Sequence, residues 1–394
     1  MPEPSTAQPA AKCPVMMQGR KHCGREPIDD QGLCICHSEK PDKDTAAFQR
    51  EIKAMLARKD YDFIWFVFPG DADFRDTVFD GPVLFAGATF QGAADFGGAM
   101  FQGGADFGWA TFQGEARFIK TTFQGGASFY RARFQGWADF GWATFQGEAR
   151  FSGHEDYWVF SRQADAYFRW ARFHQPEKAV FQHVSLGRTQ FLGTDVRQVD
   201  FTDVEWARRS GGRFAVWDEL GPEDQGKEKD YALIGKLYRQ LKHNYEEHRD
   251  PITAGDFHFG EMHMRRLSNP PKNRVLRFLK RNFSFLALYR WISGYGEDYI
   301  LPLAWIVGAI LAFALAFAAI PALALQTVPS SGAAHAVAGG RPHVLYSVMC
   351  FLLRGDKPLV PMYLAGHCAS VAEGVIGPPL IAMFILALNR RFKR

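Results

Sequence analysis

The 394-residue chain has little of what catalysis or nucleic-acid binding requires. No nucleophile motif, phosphate-cradling loop or paired-carboxylate constellation stands out. His258 and His263 flank Glu261 at a spacing that is not HExxH, so a metalloprotease is not supported. A formal net charge of +4 is too small to argue for nucleic acid. The opening MPEPSTAQPAAK holds no apolar run, so no cleaved signal peptide is expected and the chain is expected to begin in the cytoplasm. Cysteine is scarce, at six, and in a reducing compartment disulfides are its least expected use.

Phenylalanine is abundant instead, at 36 residues. It returns at Phe68, Phe74, Phe79, Phe85, Phe90, Phe96, Phe101, Phe107, Phe112, Phe118, Phe123, Phe129, Phe134, Phe140, Phe145 and Phe151, in steps that alternate six and five. From Phe90 onward, alanine stands two residues before each of these phenylalanines, with Thr121 the one substitute. Such a period fits neither a helix nor a strand. It is the mark of a solenoid, whose units bury their apolar residue only by stacking on neighbours.

These units, such as FQGGADFGWAT and FQGWADFGWAT, resemble the pentapeptide-repeat family. The resemblance implies a right-handed quadrilateral β-helix with one unit per side, the phenylalanines and the small residues inward. Steps of six and five then predict a coil of 22 residues, in which Asp95, Arg117 and Asp139 form one outer column and Asp106, Ser128 and Arg150 another. The glycine of FQG is expected to supply the backbone freedom of the longer side. The β-helix is expected over residues 65–217, with an insertion near 154–163, and a clean five-residue period resumes at Phe181, Leu186, Phe191, Val196, Phe201 and Trp206. YDFIWFVFPG is expected to cap the first coil. A DNA-mimic role would need a strongly acidic rod, whereas these faces mix both signs, so no nucleic-acid partner is expected.

Ahead of the repeats, residues 1–44 carry Cys13, Cys23, Cys34 and His37, with Cys36 and His22 nearby. Soft thiolates and an imidazole in a short segment suit a structural Zn²⁺, although nine residues between Cys13 and Cys23 exceed the usual knuckle. Some pentapeptide-repeat proteins resemble this chain in such a leader, which supports zinc. Residues 45–64 read as a short helix, with Phe48, Ile52, Met55 and Leu56 on one face.

After the repeats, residues 218–290 read as helical and basic. Tyr231, Ile234, Tyr238, Leu241 and Tyr245 form a helical stripe, and a second helix follows the Asp250-Pro251 turn. Arg265, Arg266, Lys272, Arg274, Arg277, Lys280, Arg281 and Arg290, interleaved with aromatic and aliphatic residues, read as a membrane-surface element contacting lipid. Residues 291–394 read as a membrane domain with transmembrane helices near 303–325 and 369–389, the second expected to kink or break at Pro378 and Pro379. Lysine and arginine flank this α-helical hairpin at both ends, so the positive-inside rule places both termini in the cytoplasm; the resemblance to membrane-bound pentapeptide-repeat proteins implies a bacterium, with the hairpin in its inner membrane.

The loop VLYSVMCFLLR is too short to cross. The order of span, short apolar helix and span resembles two-helix potassium channels, but RGDKPLVPMYL stands where TVGYG would follow. The expected function is a non-enzymatic, membrane-anchored module presenting its β-helix to a protein partner. The alternative is a channel-like homo-oligomer with a degenerate filter, regulated by the β-helix.

Overall fold

The computed structural model describes residues 12–40, 42–154, 158–222, 228–327, 340–352 and 359–392. Two compact units divide at residues 248 and 249, inside the stretch that the sequence groups as 218–290.

In the first unit, two-residue strands at each phenylalanine or just ahead of it pair in parallel with strands one coil later, giving four principal sheets and about six turns. Val67 pairs with Thr89 and Ala116 with Ala138, so the regular coil is 22 residues long. Asp95, Arg117 and Asp139 stack in register, as do Asp106, Ser128 and Arg150. Ala138 pairs with Ala166, six residues beyond the regular coil, so the extra residues leave the sheets between Ser152 and Ala166. Residues 155–157 of this insertion lie outside the described residues. Val180 then pairs with Asp200, the 20-residue coil of the pure five-residue period.

The interior is aromatic. Phe90, Phe112 and Phe134 stack with centroids 4.8 and 4.6 Å apart and planes within 4°. Columns on different sides meet edge to face, as Phe107 meets Phe118 at 5.5 Å and 87°. Strand spacing and ring stacking therefore share one repeat distance. Alanines fill the remaining inner positions, and the lone substitute Thr121 donates its hydroxyl to Phe96 O at 2.7 Å.

The corners differ from the expectation. The FQG glycines, on the longer six-residue steps, do not adopt positive φ; they are needed because successive coils touch there. A Cβ on Gly114 would lie 2.5 Å from Gly92 O, and one on Gly136 would lie 2.3 Å from Gly114 O. The left-handed residue instead sits two after the phenylalanine on each five-residue step, at Trp65, Asp76, Gly87, Gly98, Trp109, Lys120, Arg131 and Trp142. The aspartates of ADF have a local role as well. Asp95, Asp106 and Asp139 each accept the backbone N–H two residues ahead, at 2.7–2.9 Å, and so shape the turn.

Both ends of the solenoid are covered. YDFIWF is a side of the first coil rather than its cap, since Phe63 N donates to Leu84 O and the Phe63 ring stacks on Phe85 at 4.9 Å. The cover is the cysteine-rich leader with helix α1 (Thr45–Ala57), whose Phe48 packs edge to face on Phe68 at 5.3 Å. The far end is closed by α2 (Trp217–Leu220) and α3 (Tyr231–Glu247). Ile234, Leu237, Tyr238, Leu241, Asn244 and Tyr245 form the buried face of α3, and Tyr231 lies at its margin. Asn244 donates its amide to the carbonyls of Val196, Arg197 and Val199. Asp218 accepts the N–H groups of Phe191 and Leu192 at 3.1 and 2.9 Å, satisfying backbone donors of the last coils.

The second unit comprises α4 (Pro251–Leu267), α5 (Arg274–Phe283), α6 (Phe285–Ser293), α7 (Ile300–Ala319), α8 (Gly340–Phe351) and α9 (Leu364–Phe392). α7 and α9 are long and apolar enough to span a membrane. α7 stops six residues short of the expected end because Pro321 forces Ile320 into extended backbone (φ −99°, ψ 114°). The chain then forms a short strand, Leu325–Thr327, that pairs with Leu359–Pro361. α9 begins five residues earlier than expected and runs through Pro378 and Pro379 without a break. Neighbouring helices relieve prolines inside such segments, and here Gly377 lets α9 approach the Phe351 carbonyl of α8, where a Cβ would lie at 2.4 Å. Arg390, near the end of α9, reaches Glu297, just before α7, at 3.3 Å, so these two ends of the apolar pair lie together.

Substitutions should separate these contributions. Phe112→Ala should cost about 3–5 kcal/mol, whereas Arg117→Ala, which removes half-exposed ion pairs to Asp95 and Glu115, should cost under about 1 kcal/mol. Gly114→Ala should cost about 1–3 kcal/mol by driving a Cβ into backbone. Lys120→Gly should be neutral to about 1 kcal/mol stabilising, because it removes left-handed strain. Hydrogen exchange of the Phe112 and Phe134 amides reads all four; equal loss of protection in Arg117→Ala and Phe112→Ala would contradict the aromatic columns as the main source of stability.

Burial raises the Asp218 carboxyl to about 6, against the hydrogen bonds from Phe191 and Leu192 that lower it. Between about pH 4 and 6 the folded protein keeps a proton that the unfolded chain has lost. The stabilisation is therefore full below about pH 4 and is lost as pH rises through 6. Relative to Asp218→Asn, the wild-type solenoid should gain about 2–3 kcal/mol on going from pH 7.5 to 4. Thermal melts of the pair at both values check this, and a constant difference would refute it.

Candidate metal centre

The leader folds so as to gather its soft ligands. Residues 13–25 form a hairpin, with Cys13 N donating to Arg25 O at 3.0 Å and Cys23 N to Val15 O at 2.8 Å. Its turn places Gly19 at φ 74°, the left-handed conformation that glycine tolerates. The wide spacing of Cys13 and Cys23 is thus the length of a hairpin, whose two arms carry one thiol each. Cys34 and His37 share the following turn, where His37 N and Ser38 N both donate to Cys34 O.

One ligand atom from each of Cys13, Cys23, Cys34 and His37 lies within 4.8 Å of all the others. Cys34 Sγ and His37 Nδ1 are 3.2 Å apart, Cys13 Sγ and His37 Nδ1 3.4 Å, and Cys23 Sγ and Cys34 Sγ 3.7 Å. A tetrahedral Zn²⁺ with bonds of about 2.0–2.3 Å needs ligand separations of about 3.3–3.8 Å, so the close pairs already have the required edges. His37 Nε2 lies 3.2 Å from Ile64 O, which only accepts, so the proton sits on Nε2 and the Nδ1 lone pair faces the sulfurs. The donor set can therefore hold a metal.

The electrostatics show what a bound cation would have to overcome. The Cys34 thiol is pushed up to about 12: the Cys23 hydrogen bond lowers it, but the Cys36 hydrogen bond and burial outweigh that effect. Cys23 is raised too, by its hydrogen bond with Cys34 and then by burial. Without a cation this pocket disfavours thiolates; a bound divalent ion reverses the balance. Three thiolates on a divalent ion leave one surplus negative charge, and Arg25 Nη1 lies 3.2 Å from Cys23 Sγ to offset it. Glu51 of α1 holds the same guanidinium at 3.0 Å.

The centre is also joined to the first coil. Val67 N donates to Cys36 O at 2.8 Å, and the His37 ring meets Phe66 edge to face at 5.1 Å. Buried Lys43 donates to Ser38 O and Val67 O, and burial lowers its ammonium to about 8. Arg25, Lys43 and the Ile64 carbonyl were not singled out from the sequence. Arg25, two residues after a ligand cysteine, was the one available signal. Of the other nearby candidates, His22 is exposed on Pro14 O, and Cys36 hydrogen-bonds Cys34 and gives its carbonyl to the coil without joining the four-ligand set.

Residues 66–108 and 110–153 match the family model for pentapeptide repeats in nine copies, so the Phe-rich region consists of pentapeptide repeats. No curated protein and no solved structure matches the chain.

The full-length protein purified in detergent should carry about one equivalent of zinc, and Cys34→Ser should lose it. Chelation should accelerate exchange at the Val67 amide while leaving Phe123 unchanged. Less than about a tenth of an equivalent by elemental analysis would remove zinc from this centre.

Proposed function

We propose that this chain is a non-enzymatic, membrane-anchored protein whose cytoplasmic pentapeptide-repeat solenoid offers flat faces to a protein partner. In this reading α7 and α9 cross the bacterial inner membrane, both termini are cytoplasmic, and Cys13, Cys23, Cys34 and His37 hold one structural Zn²⁺. The observation that carries the interaction role is the pair of aromatic corners built from the left-handed positions. Trp65 and Trp109 occupy one corner column, where Arg131 lies 4.4 Å over the Trp109 ring. Trp142 and Trp170 stack at 5.5 Å on the other. All four tryptophans are exposed, and exposed tryptophan with arginine is the composition of protein interfaces.

The anchoring rests on the two apolar helices and on charge. Arg390, Arg391, Lys393 and Arg394 follow the second span, eight basic residues in 265–290 precede the first, and the connection between the spans holds Arg341, Arg354 and Lys357. The Glu297–Arg390 contact supports one shared side for both outer ends. Reporter fusions test the topology: GFP should fluoresce and alkaline phosphatase should stay inactive at each terminus. An active phosphatase at either end would overturn the arrangement.

One observation favours a second reading, a channel-like homo-oligomer regulated by the solenoid. α8 packs against both α7 and α9, as a pore helix would, and the Ser347 hydroxyl on it lies 3.0 Å from Ile310 O and in hydrogen-bond contact with the carboxyl group of buried Glu373. Residues 353–358, which include the whole of RGDKP, lie outside the described residues. Planar-bilayer recording with mass measurement in detergent decides between them. Ion current from a defined oligomer selects the channel, and a silent monomer selects the scaffold.

A further inference from the structure

The segment from α5 to α6 has an exposed apolar face that no described element covers. No residue of α5 is buried. Val275, Phe278, Leu279 and Phe283 are exposed, and α6 adds Phe285, Leu288 and Trp291, with Phe283 and Phe285 at 74% and 77% exposure. At about 100° per residue, the apolar side chains of α5 fill an arc of about 160°, and Arg274, Arg277, Lys280 and Arg281 fill the opposite arc. An apolar face of this kind standing in water marks an interaction site.

Charge identifies what covers it. Between Glu261 and Glu297 there is no aspartate or glutamate, while eight lysines and arginines occur. Arg277 and Lys280 donate to the carbonyls of Pro271 and Asn269, and among the described residues no carboxylate pairs with the four basic residues of α5. Position identifies it further. Trp305 Nε1, in the second turn of α7, donates to Trp291 O at 3.0 Å, which sets α6 level with the start of the first apolar span. Tryptophan at that level is characteristic of the membrane–water interface.

We propose that α5 and α6 form an in-plane elbow that binds anionic phospholipid: the apolar arc lies at the acyl boundary, and Arg274, Arg277, Lys280 and Arg281 engage headgroup phosphates. The proposal rests on the reading that α7 and α9 cross a bilayer. The polar arc of α5 is a set of four exposed cations rather than a pocket, so the selectivity is for headgroup charge and weakens with salt.

Native mass spectrometry of the detergent-solubilised full chain, titrated with phosphatidylglycerol or phosphatidylcholine, tests it. Wild type should retain phosphatidylglycerol more than about ten-fold better. The quadruple variant Arg274→Gln, Arg277→Gln, Lys280→Gln, Arg281→Gln, altered only at exposed positions, should bring the two lipids to within about two-fold. Equal retention by wild type, or a preference that survives in the quadruple variant, overturns the proposal. If a second copy covers the face instead, Phe278→Ser with Phe283→Ser will halve the protein mass with the lipid preference intact, which also overturns it. Carbonate extraction separates the underlying reading: release of the wild-type chain from membranes refutes the spans, whereas a chain that pellets without headgroup preference refutes only the elbow.

Discussion

The fold depends on a coincidence of two lengths. Parallel strands stand about 4.8 Å apart, and parallel aromatic rings in offset contact have centroids at nearly the same separation. Each coil therefore places a phenylalanine on the one beneath it without bending the backbone, and Phe74, Phe96, Phe118 and Phe140 do so at 4.8–5.1 Å. Edge-to-face contacts between columns then fix how the sides face one another. The cross-section is so small that rings and alanine methyls fill it, which is why the six-plus-five rhythm holds without exception until the chain leaves the stack after Ser152.

The same coincidence decides what the sequence makes legible. The phenylalanines declare the coil length because they recur without a break at the buried sites of the regular coils, and the columns Asp95–Arg117–Asp139 and Asp106–Ser128–Arg150 follow from it. Corners are less readable. The left-handed position carries Trp109, Lys120, Arg131 and Gly98 alike, since its side chain points away from the core and the shape of the coil forces its φ. The FQG glycines suggest flexibility, yet their cause is steric: Gly92 and Gly114 touch across coils, a contact between residues 22 apart that no local pattern displays. In the leader, the donor set was legible from residue type, but the hairpin that brings Cys13 to Cys23 was not. The end of α7 is not legible because apolar composition continues past Pro321, where helical backbone geometry does not.

A solenoid also has two ends, and each is a problem of unmet hydrogen bonds. The chain solves them with different chemistry. At the start, the leader adds a carbonyl to Val67 N and a buried ammonium to Val67 O, and the Cys/His cluster is the centre of its described residues. At the finish, α2 and α3 bring an apolar face, and Asp218 and Asn244 meet the backbone. Asp218 holds its two N–H partners at the cost of a desolvated charge, whereas the leader gathers three thiols and an imidazole that could hold a cation. The Asp218 arrangement makes the far end sensitive to protonation, and the Cys/His cluster gives the near end a donor set that could hold a metal.

The second unit applies the opposite logic to its polar groups. In the solenoid, charges lie outside in ladders where water screens them and each is worth little. Among α7, α8 and α9, Glu373 is fully buried beside Ser347, and Tyr346 shares a hydrogen bond with Ser370 at 2.8 Å. A carboxyl on a helix that faces hydrocarbon would be costly, by about 2.5 kcal/mol or more near the centre of a bilayer. Its placement against α8 shows which face of α9 turns inward. The short α8 is therefore held by polar contacts as well as by the apolar cluster of Phe317, Tyr346, Cys350 and Leu359, so its place against the long helices is specified rather than incidental. Packing alone would let α8 slide along two smooth apolar helices; Ser347, bonded to Ile310 O on one and to Glu373 on the other, sets its register.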